Sequence, residues 1–375
     1  MRIGIDCRMY SSSFTGIGRY VFELVRHLGI IEKTLPKEEQ NQYVLFFNDP
    51  EYDLFQAVPP YFTKIHVNAH HYSFSEQTKF LRLLHDAKLD LMHFTHFNAP
   101  IFYKKPCVVT IHDLILSFYP GKKMTKPWHR WGYNLTLSSI VKKARSIIAV
   151  SENTKLDLLK LFRLPESKIR IIYEGVGEEF RMLPEKDAQE ARSKYDLNKP
   201  FLFYAGVWRN HKNLVNLIRA FHSLRTSYHH DILLVLTGRE DSAYPEVKAT
   251  VRELSLENFV RFPGLVNEKN LVQLYNAAAI YVQPSFYEGF GLNILEAFAC
   301  GTPVASSNRS CLPEIAGDGN ARFFNPDNYR DIANTIHYML ENEKLLSTLK
   351  ERGKIRVKDF SWKIMAEEIR RLYTR

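Results

Sequence analysis

The sequence predicts an α/β protein made of two parallel-sheet domains that face a central cleft. Short apolar runs alternate with helical patterns through both halves of the chain, which is the signature of strands joined by covering helices. At 375 residues the chain is long for one core, so two domains are expected. A polar, charged stretch over 174–199 separates two similar series of elements, as a linker does.

In the first domain, 1–173, strands are expected at 3–6, 43–47, 64–67, 89–94, 108–112, 147–150 and 169–172. Residues 17–28 and 74–87 carry apolar positions at helical spacing, and 152–162 opens with an acidic first turn after Ser151. The second domain, 200–358, restarts the pattern with strands at 201–205, 232–236, 259–262, 280–282 and 304–305. Ser361 is a candidate N-cap for a last helix, within 359–375, that carries Trp362, Ile364, Met365, Ile369 and Leu372.

Composition narrows the function classes. Hydrophobic residues make up 45% of the chain, as in a soluble globular protein, and no apolar run reaches the roughly 18 residues that span a bilayer. Asp6 and Arg8 interrupt the first apolar stretch, which reads as a strand and not a secretory signal. Cys7, Cys107, Cys300 and Cys311 lack metal or disulfide spacing, so a reducing cytoplasm is expected.

Charge is uneven: residues 1–173 hold 24 Lys and Arg against 15 Asp and Glu, the remainder 27 against 26. Such a basic half could face an anionic membrane, a pyrophosphate-linked acceptor or a nucleic acid. Its densest part interleaves Lys122, Lys123, Lys126, His129 and Arg130 with Trp128 and Trp131, a mixture suited to a lipid headgroup layer. The competing reading is a solvated face with both tryptophans packed inward.

The chemistry concentrates between Pro284 and Val304. An apolar run stops at Pro284, and then Glu288-Gly289-Phe290-Gly291-Leu292 leads into a helix that ends at Gly301. Glycines leave their amides unshielded, and a helix start receives anions, so the stretch suits a phosphate. Glu288 before the helix and Glu296 about one turn inside it suit the hydroxyls beside that phosphate.

Glu288-Gly-Phe-Gly-Leu followed by Glu296-Ala-Phe-Ala-Cys-Gly-Thr-Pro-Val resembles the nucleotide-sugar motif of retaining glycosyltransferases of the GT-B fold, family 4. The family often has Pro where this chain has Asn293. The resemblance implies two Rossmann-like domains, with the last helix crossing back onto the first. It assigns Glu296 to the ribose hydroxyls, Glu288 to those of the donor sugar, and Gly289, Phe290, Gly291 and Leu292 to the donor.

Four further segments follow strands. In Gly206-Val-Trp-Arg209-Asn-His-Lys212, two cations stand before a helix, where they can neutralise a departing diphosphate. The resemblance places Arg209 and Lys212 on the donor diphosphate, where electrostatic stabilisation would make them matter for rate. His112 and Asp113 end the strand 108–112; by itself a strand-end His is more often structural, and the resemblance makes His112 a contact to sugar or phosphate and leaves Asp113 to orient the loop. Ser12-Ser-Phe-Thr-Gly16-Ile-Gly18-Arg19 fails as a dinucleotide fingerprint because Val21 stands where Gly or Ala belongs. The resemblance brings Gly16, Gly18 and Arg19 toward donor phosphate and acceptor, and it sets the backbone of Val266, in Leu265-Val266-Asn267, against the nucleotide base. Packing is the other reading of that segment.

The expected function is transfer of a hexose from a nucleotide diphosphate sugar to a hydroxyl of a glycan or lipid-linked acceptor. Arg2-Ile-Gly-Ile-Asp-Cys-Arg-Met and Thr15-Gly-Ile-Gly-Arg-Tyr resemble mannosyltransferases of surface polysaccharide assembly, which makes GDP-mannose the preferred donor. No Asp-x-Asp clamp is present, so neither a metal nor an organic cofactor is expected. The expected location is cytoplasmic, with peripheral contact at the inner face of an anionic membrane. Two alternatives are a nucleotide-sugar epimerase of the same fold and a basic nucleic-acid-binding protein; no recognition motif supports nucleic acid.

Overall fold

The computed structural model describes residues 1–11, 16–56, 60–121 and 127–374. These form two compact units: residues 1–114, 123–175 and 361–375 make the first, and residues 115–122 and 176–360 the second. Each is built on one parallel sheet.

The first sheet contains β1 (Arg2–Asp6), β2 (Gln42–Phe47), β3 (Phe62–His66), β4 (Leu91–Phe94), β5 (Cys107–Ile111), β6 (Ser146–Ala149) and β7 (Ile169–Ile171). Their order is β3-β2-β1-β4-β5-β6-β7, so the winding reverses between β1 and β4. β1, β2, β4 and β5 are buried almost throughout, which is why they read as continuous apolar runs. The helix Gly16–Thr34 covers this sheet and packs against the last helix, Trp362–Tyr373.

That last helix is capped by Ser361, whose side chain accepts from the Ile364 amide. It belongs to the first unit. Trp362, Met365, Ile369 and Tyr373 are buried, and Arg370 Nε donates to the fully buried Glu32 at 2.9 Å. Tyr373 Oη lies 2.6 Å from His93 Nδ1, whose other ring nitrogen is 2.9 Å from Thr110 Oγ1. Gly175 has no room for a side chain: a Cβ there would lie 2.2 Å from the Trp362 amide.

The second sheet contains β8 (Phe201–Ala205), β9 (Leu233–Thr237), β10 (Val260–Gly264), β11 (Ile280–Gln283), β12 (Val304–Ser307) and β13 (Arg322–Phe324), ordered β10-β9-β8-β11-β12-β13. Here the reversal falls between β8 and β11. In open parallel sheets the crevice at the carboxyl ends of such a strand pair is where ligands bind.

Several expectations change. The stretch 174–199 is more than a linker: it holds the helix Glu185–Lys194, which packs against the helix Glu268–Ala277 and buries Ala188 and Ala191. Its composition looks polar because only one narrow face is covered. The 74–87 helix divides into a wide π turn, Glu76–Phe80, and a helix, Leu81–Asp86; the turn carries buried Glu76, which meets Arg8 Nη1 at 2.8 Å. Trp128 and Trp131 do not pack inward, being 64% and 68% exposed on the helix Pro127–Lys143. Lys122, Lys123 and Lys126 beside them lie outside the described residues. All four cysteines are buried and free, and no described helix is long and apolar enough to cross a membrane.

Candidate active site

The second unit brings Lys212 and Glu288 together at its switch point. β8 ends at Ala205, and its loop closes in a short turn, Asn210–Lys212, followed by Asn213 in the left-handed conformation at φ 60°. β11 ends at Gln283 and leads through Pro284 to Glu288. Because these strands are neighbours, their loops meet. Phe286 N donates to His211 O at 2.8 Å, and Asn213 Nδ2 donates to Pro284 O at 3.0 Å and to Pro326 O at 2.8 Å.

Lys212 Nζ lies 2.7 Å from each carboxylate oxygen of Glu288. Oε1 also accepts from Gln283 Nε2 at 2.7 Å and from Ser285 Oγ at 2.6 Å. The Glu288 side chain is 10% exposed, so every one of these bonds offsets lost hydration. Burial alone would raise the Glu288 pKa, but Lys212, His211 and the bonds from Lys212 and Ser285 outweigh it and hold the pKa below the ordinary carboxylate value. Burial, together with the charge of Lys212, pushes His211 down to about 4, so it stays neutral beside the pair.

Gly291 follows at φ 100°, and no side chain caps the helix Leu292–Ala299 that it begins. A Cβ on Gly291 would touch Leu312 at 3.0 Å. The helix therefore opens at Leu292, four residues after Glu288 of the Lys212–Glu288 pair, and its dipole points its positive end at that loop. One turn in, Glu296 Oε2 accepts from Tyr275 Oη at 2.7 Å and from Asn293 Nδ2 at 3.3 Å. Burial and the Glu296 charge push the Tyr275 hydroxyl well up, which keeps it a donor. Asn293 thus contributes its side chain, a role that its place in the motif did not reveal.

The other expected residues are distributed. Arg209 is exposed on the β8 loop and, among the described residues, forms no ion pair. Val266 follows the edge strand β10, away from the β8–β11 pair, between exposed Leu265 and Asn267, which caps the next helix. Gly16 is exposed and Gly18 buried in the first turn of the helix Gly16–Thr34, where Arg19 pairs with Glu23 at 3.3 Å. The residues before them, 12–15, lie outside the described ones.

His112 stands just beyond β5 in the first unit. Its Nδ1 is 3.0 Å from Glu174 Oε1 and its Nε2 is 2.9 Å from Thr95 O, with Tyr20 edge-on at 4.7 Å. Both ring nitrogens face acceptors. Glu174, Gln283, Ser285 and Tyr275 were not picked out from the sequence; Ser285 and Gln283 lie close enough to Glu288 for local spacing to have suggested them.

Known proteins resemble the chain over most of its length. Residues 185–356 match the family described as Glycosyl transferases group 1, and residues 14–180 match Glycosyltransferase Family 4. The chain belongs to the family 4 glycosyltransferases. It is 28% identical to O-antigen chain mannosyltransferase B of Escherichia coli over 367 residues, 93% of each chain. Sucrose-phosphate synthase from Thermosynechococcus elongatus superposes with a TM-score of 0.80 at 21% identity, covering 100% of this chain and 98% of that one. HepE from Anabaena, solved with UDP and glucose, gives 0.76 at 16% identity, covering 100% and 99%. The expected GT-B fold of two parallel-sheet domains therefore holds, and the protein is a glycosyltransferase.

Proposed function

We propose that this family 4 glycosyltransferase is a retaining hexosyltransferase that moves mannose from GDP-mannose to a hydroxyl of a glycan or lipid-linked acceptor in surface polysaccharide synthesis. The observation that carries this reading is the Lys212–Glu288 pair beside the uncapped start of the helix Leu292–Ala299. The helix amides, Lys212 and exposed Arg209 offer an anion the donors and charge that a diphosphate requires. Glu288 and Glu296 offer acceptors to hydroxyls on either side of it. His112 is assigned contact with the sugar or phosphate.

In this reading Glu288 holds the ammonium of Lys212 in place before the donor arrives. Arg209 and Lys212 then stabilise the leaving diphosphate without a metal ion. The leaving phosphate helps to deprotonate the acceptor on the front face. The likeness to an O-antigen mannosyltransferase supports mannose. Exposed Trp128 and Trp131 support peripheral contact with an anionic membrane from the cytoplasmic side.

A panel of UDP, GDP and ADP sugars tests the proposal, first by thermal shift and then by slow donor hydrolysis with chelator present. GDP-mannose is expected to raise Tm most and to be hydrolysed with retention. Absence of stabilisation by any nucleotide sugar overturns the reading. A UDP or ADP sugar in first place corrects the donor.

A further inference from the structure

We propose that His230, His337 and Glu341 form a binding site for a zinc-like divalent transition cation, which clips together two elements of the second unit. The site goes beyond sugar transfer and uses none of its residues.

The sequence separates these ligands widely, and the fold gathers them. The helices Leu214–Thr226 and Tyr329–Leu340 pack against each other on the second sheet. His230 lies in the short turn that carries the chain from the first of these helices to β9, and the preceding His229 adopts φ 56°. His337 is in the last turn of the other helix, and Glu341 follows one turn later at its end. Positions four apart on a helix share a face, so both point toward the same turn.

The distances suit coordination. His230 Nε2 is 2.9 Å from His337 Nδ1 and 3.7 Å from Glu341 Oε1, and the three ligand atoms all lie within 4.8 Å of one another. Metal–ligand bonds of about 2.0–2.2 Å give ligand separations of roughly 2.9 Å at a right angle and roughly 3.4 Å at the tetrahedral angle. The two His230 separations bracket the tetrahedral value, and the third, within 4.8 Å, closes by movement of the mostly exposed Glu341 side chain. In the ion-free pair one imidazole donates to the other. Moving that proton to the ring's second nitrogen exposes both lone pairs, with no change in net charge.

A neighbouring side chain fixes one ligand ring. Tyr228 stacks on His337 at 4.1 Å and 18°, and its hydroxyl bonds to Asn334 Oδ1, one turn before His337. Such outer contacts orient metal-binding imidazoles. The His230 side chain is 13% exposed and that of Glu341 63%, which leaves an open side for water as the fourth ligand. Two imidazoles and one carboxylate favour Zn²⁺, Ni²⁺ or Cu²⁺ over Mg²⁺ or Ca²⁺.

The ion's role is structural. Lys212 stands two residues before the start of the helix Leu214–Thr226, and His230 lies four residues past its other end. Thirteen helical residues span about 20 Å, so the clip and the Lys212–Glu288 pair stand at opposite ends of one rod.

Tag-free full-length protein, dialysed against chelator, is titrated with Zn²⁺ by calorimetry and followed by thermal unfolding. One ion per chain is expected, with Tm rising by about 3–6 °C when free Zn²⁺ is about ten times Kd. His230→Gln and His337→Gln should each weaken binding at least about tenfold and remove the rise, while His66→Gln, at an exposed His–Asp pair elsewhere, leaves both unchanged. Glu341→Gln, at a mostly exposed position, should weaken binding about three- to tenfold and decides the matter if a histidine variant fails to fold. No bound Zn²⁺, or wild-type affinity in the histidine variants, overturns the proposal. Neither readout passes through sugar transfer, so the two proposals fail separately.

Discussion

Glu174 Oε1 lies 3.0 Å from His112 Nδ1, across 62 residues of sequence, and both side chains are buried in the first unit. With Thr95 O on the other nitrogen, the carboxylate sets which way the imidazole faces. Glu174→Gln preserves shape but offers either an amide nitrogen or a weaker acceptor. We expect kcat to fall at least about tenfold, equivalent to about 1.4 kcal/mol, with donor KM within about twofold. Steady-state kinetics check this, and Glu174→Asp should recover part of the rate.

The Lys212–Glu288 pair separates stability from rate. Lys212→Ala leaves a buried carboxylate without its cation, which should cost about 3 kcal/mol and lower turnover on the order of 10²-fold or more. Adding Glu288→Gln removes the stranded charge. The double variant should therefore unfold at higher denaturant than Lys212→Ala alone while remaining inactive. Denaturant melts beside turnover assays test both halves, and recovery of activity in the double variant would remove Lys212 from catalysis.

Acid should weaken the fold before its carboxylates titrate. Burial first, then neighbouring cations, pulls His211 from its ordinary 6.5 to about 4, and burial with His112 pulls His93 to about 3. Between those values the unfolded chain binds protons that the folded one refuses, so stability is full above pH 6.5 and is lost as pH falls toward 4. Each such histidine contributes a loss of about 2 kcal/mol between pH 7 and pH 5. Glu288, whose folded pKa is depressed, adds its own loss only below the ordinary carboxylate value of 4.5. Urea melts across pH 7 to 5 should show this slope, and a shallower one in His211→Asn.

Gly238 is a backbone position with no room to change. Its φ is +121°, and a Cβ would lie 2.1 Å from Gly206 O, a backbone atom that cannot turn aside. Gly206 begins the loop that carries Lys212, and its amide bonds to Thr237 O. Gly238→Ala should cost roughly 2–4 kcal/mol and disturb that loop. Gly16→Ala, where nothing lies within 4 Å, is the matched control with Tm near wild type.

The strands were readable because parallel strands buried on both faces appear as unbroken apolar runs, such as Phe201–Ala205. β13 escaped notice since Arg322–Phe324 is only three residues and begins with a charge. Glu288, Glu296 and Lys212 stood out because their motif is local. Glu174 did not: its partner is distant in sequence, and it sits in a stretch whose polarity suggests solvent. Asn293 stands where the family often has Pro, which has no side-chain donor, yet helical spacing puts it beside Glu296, three residues on.

The division of the chain between units sets an order of manufacture. Every strand of the first sheet is synthesised before any strand of the second, yet the helix that bonds His93 through Tyr373 and Glu32 through Arg370 is made after both. A ribosome therefore releases the first unit with the bed of its closing helix still bare. The early half waits for the late half before its core is sealed, and a stop codon at any point before 361 would leave the first unit, not only the second, unfinished.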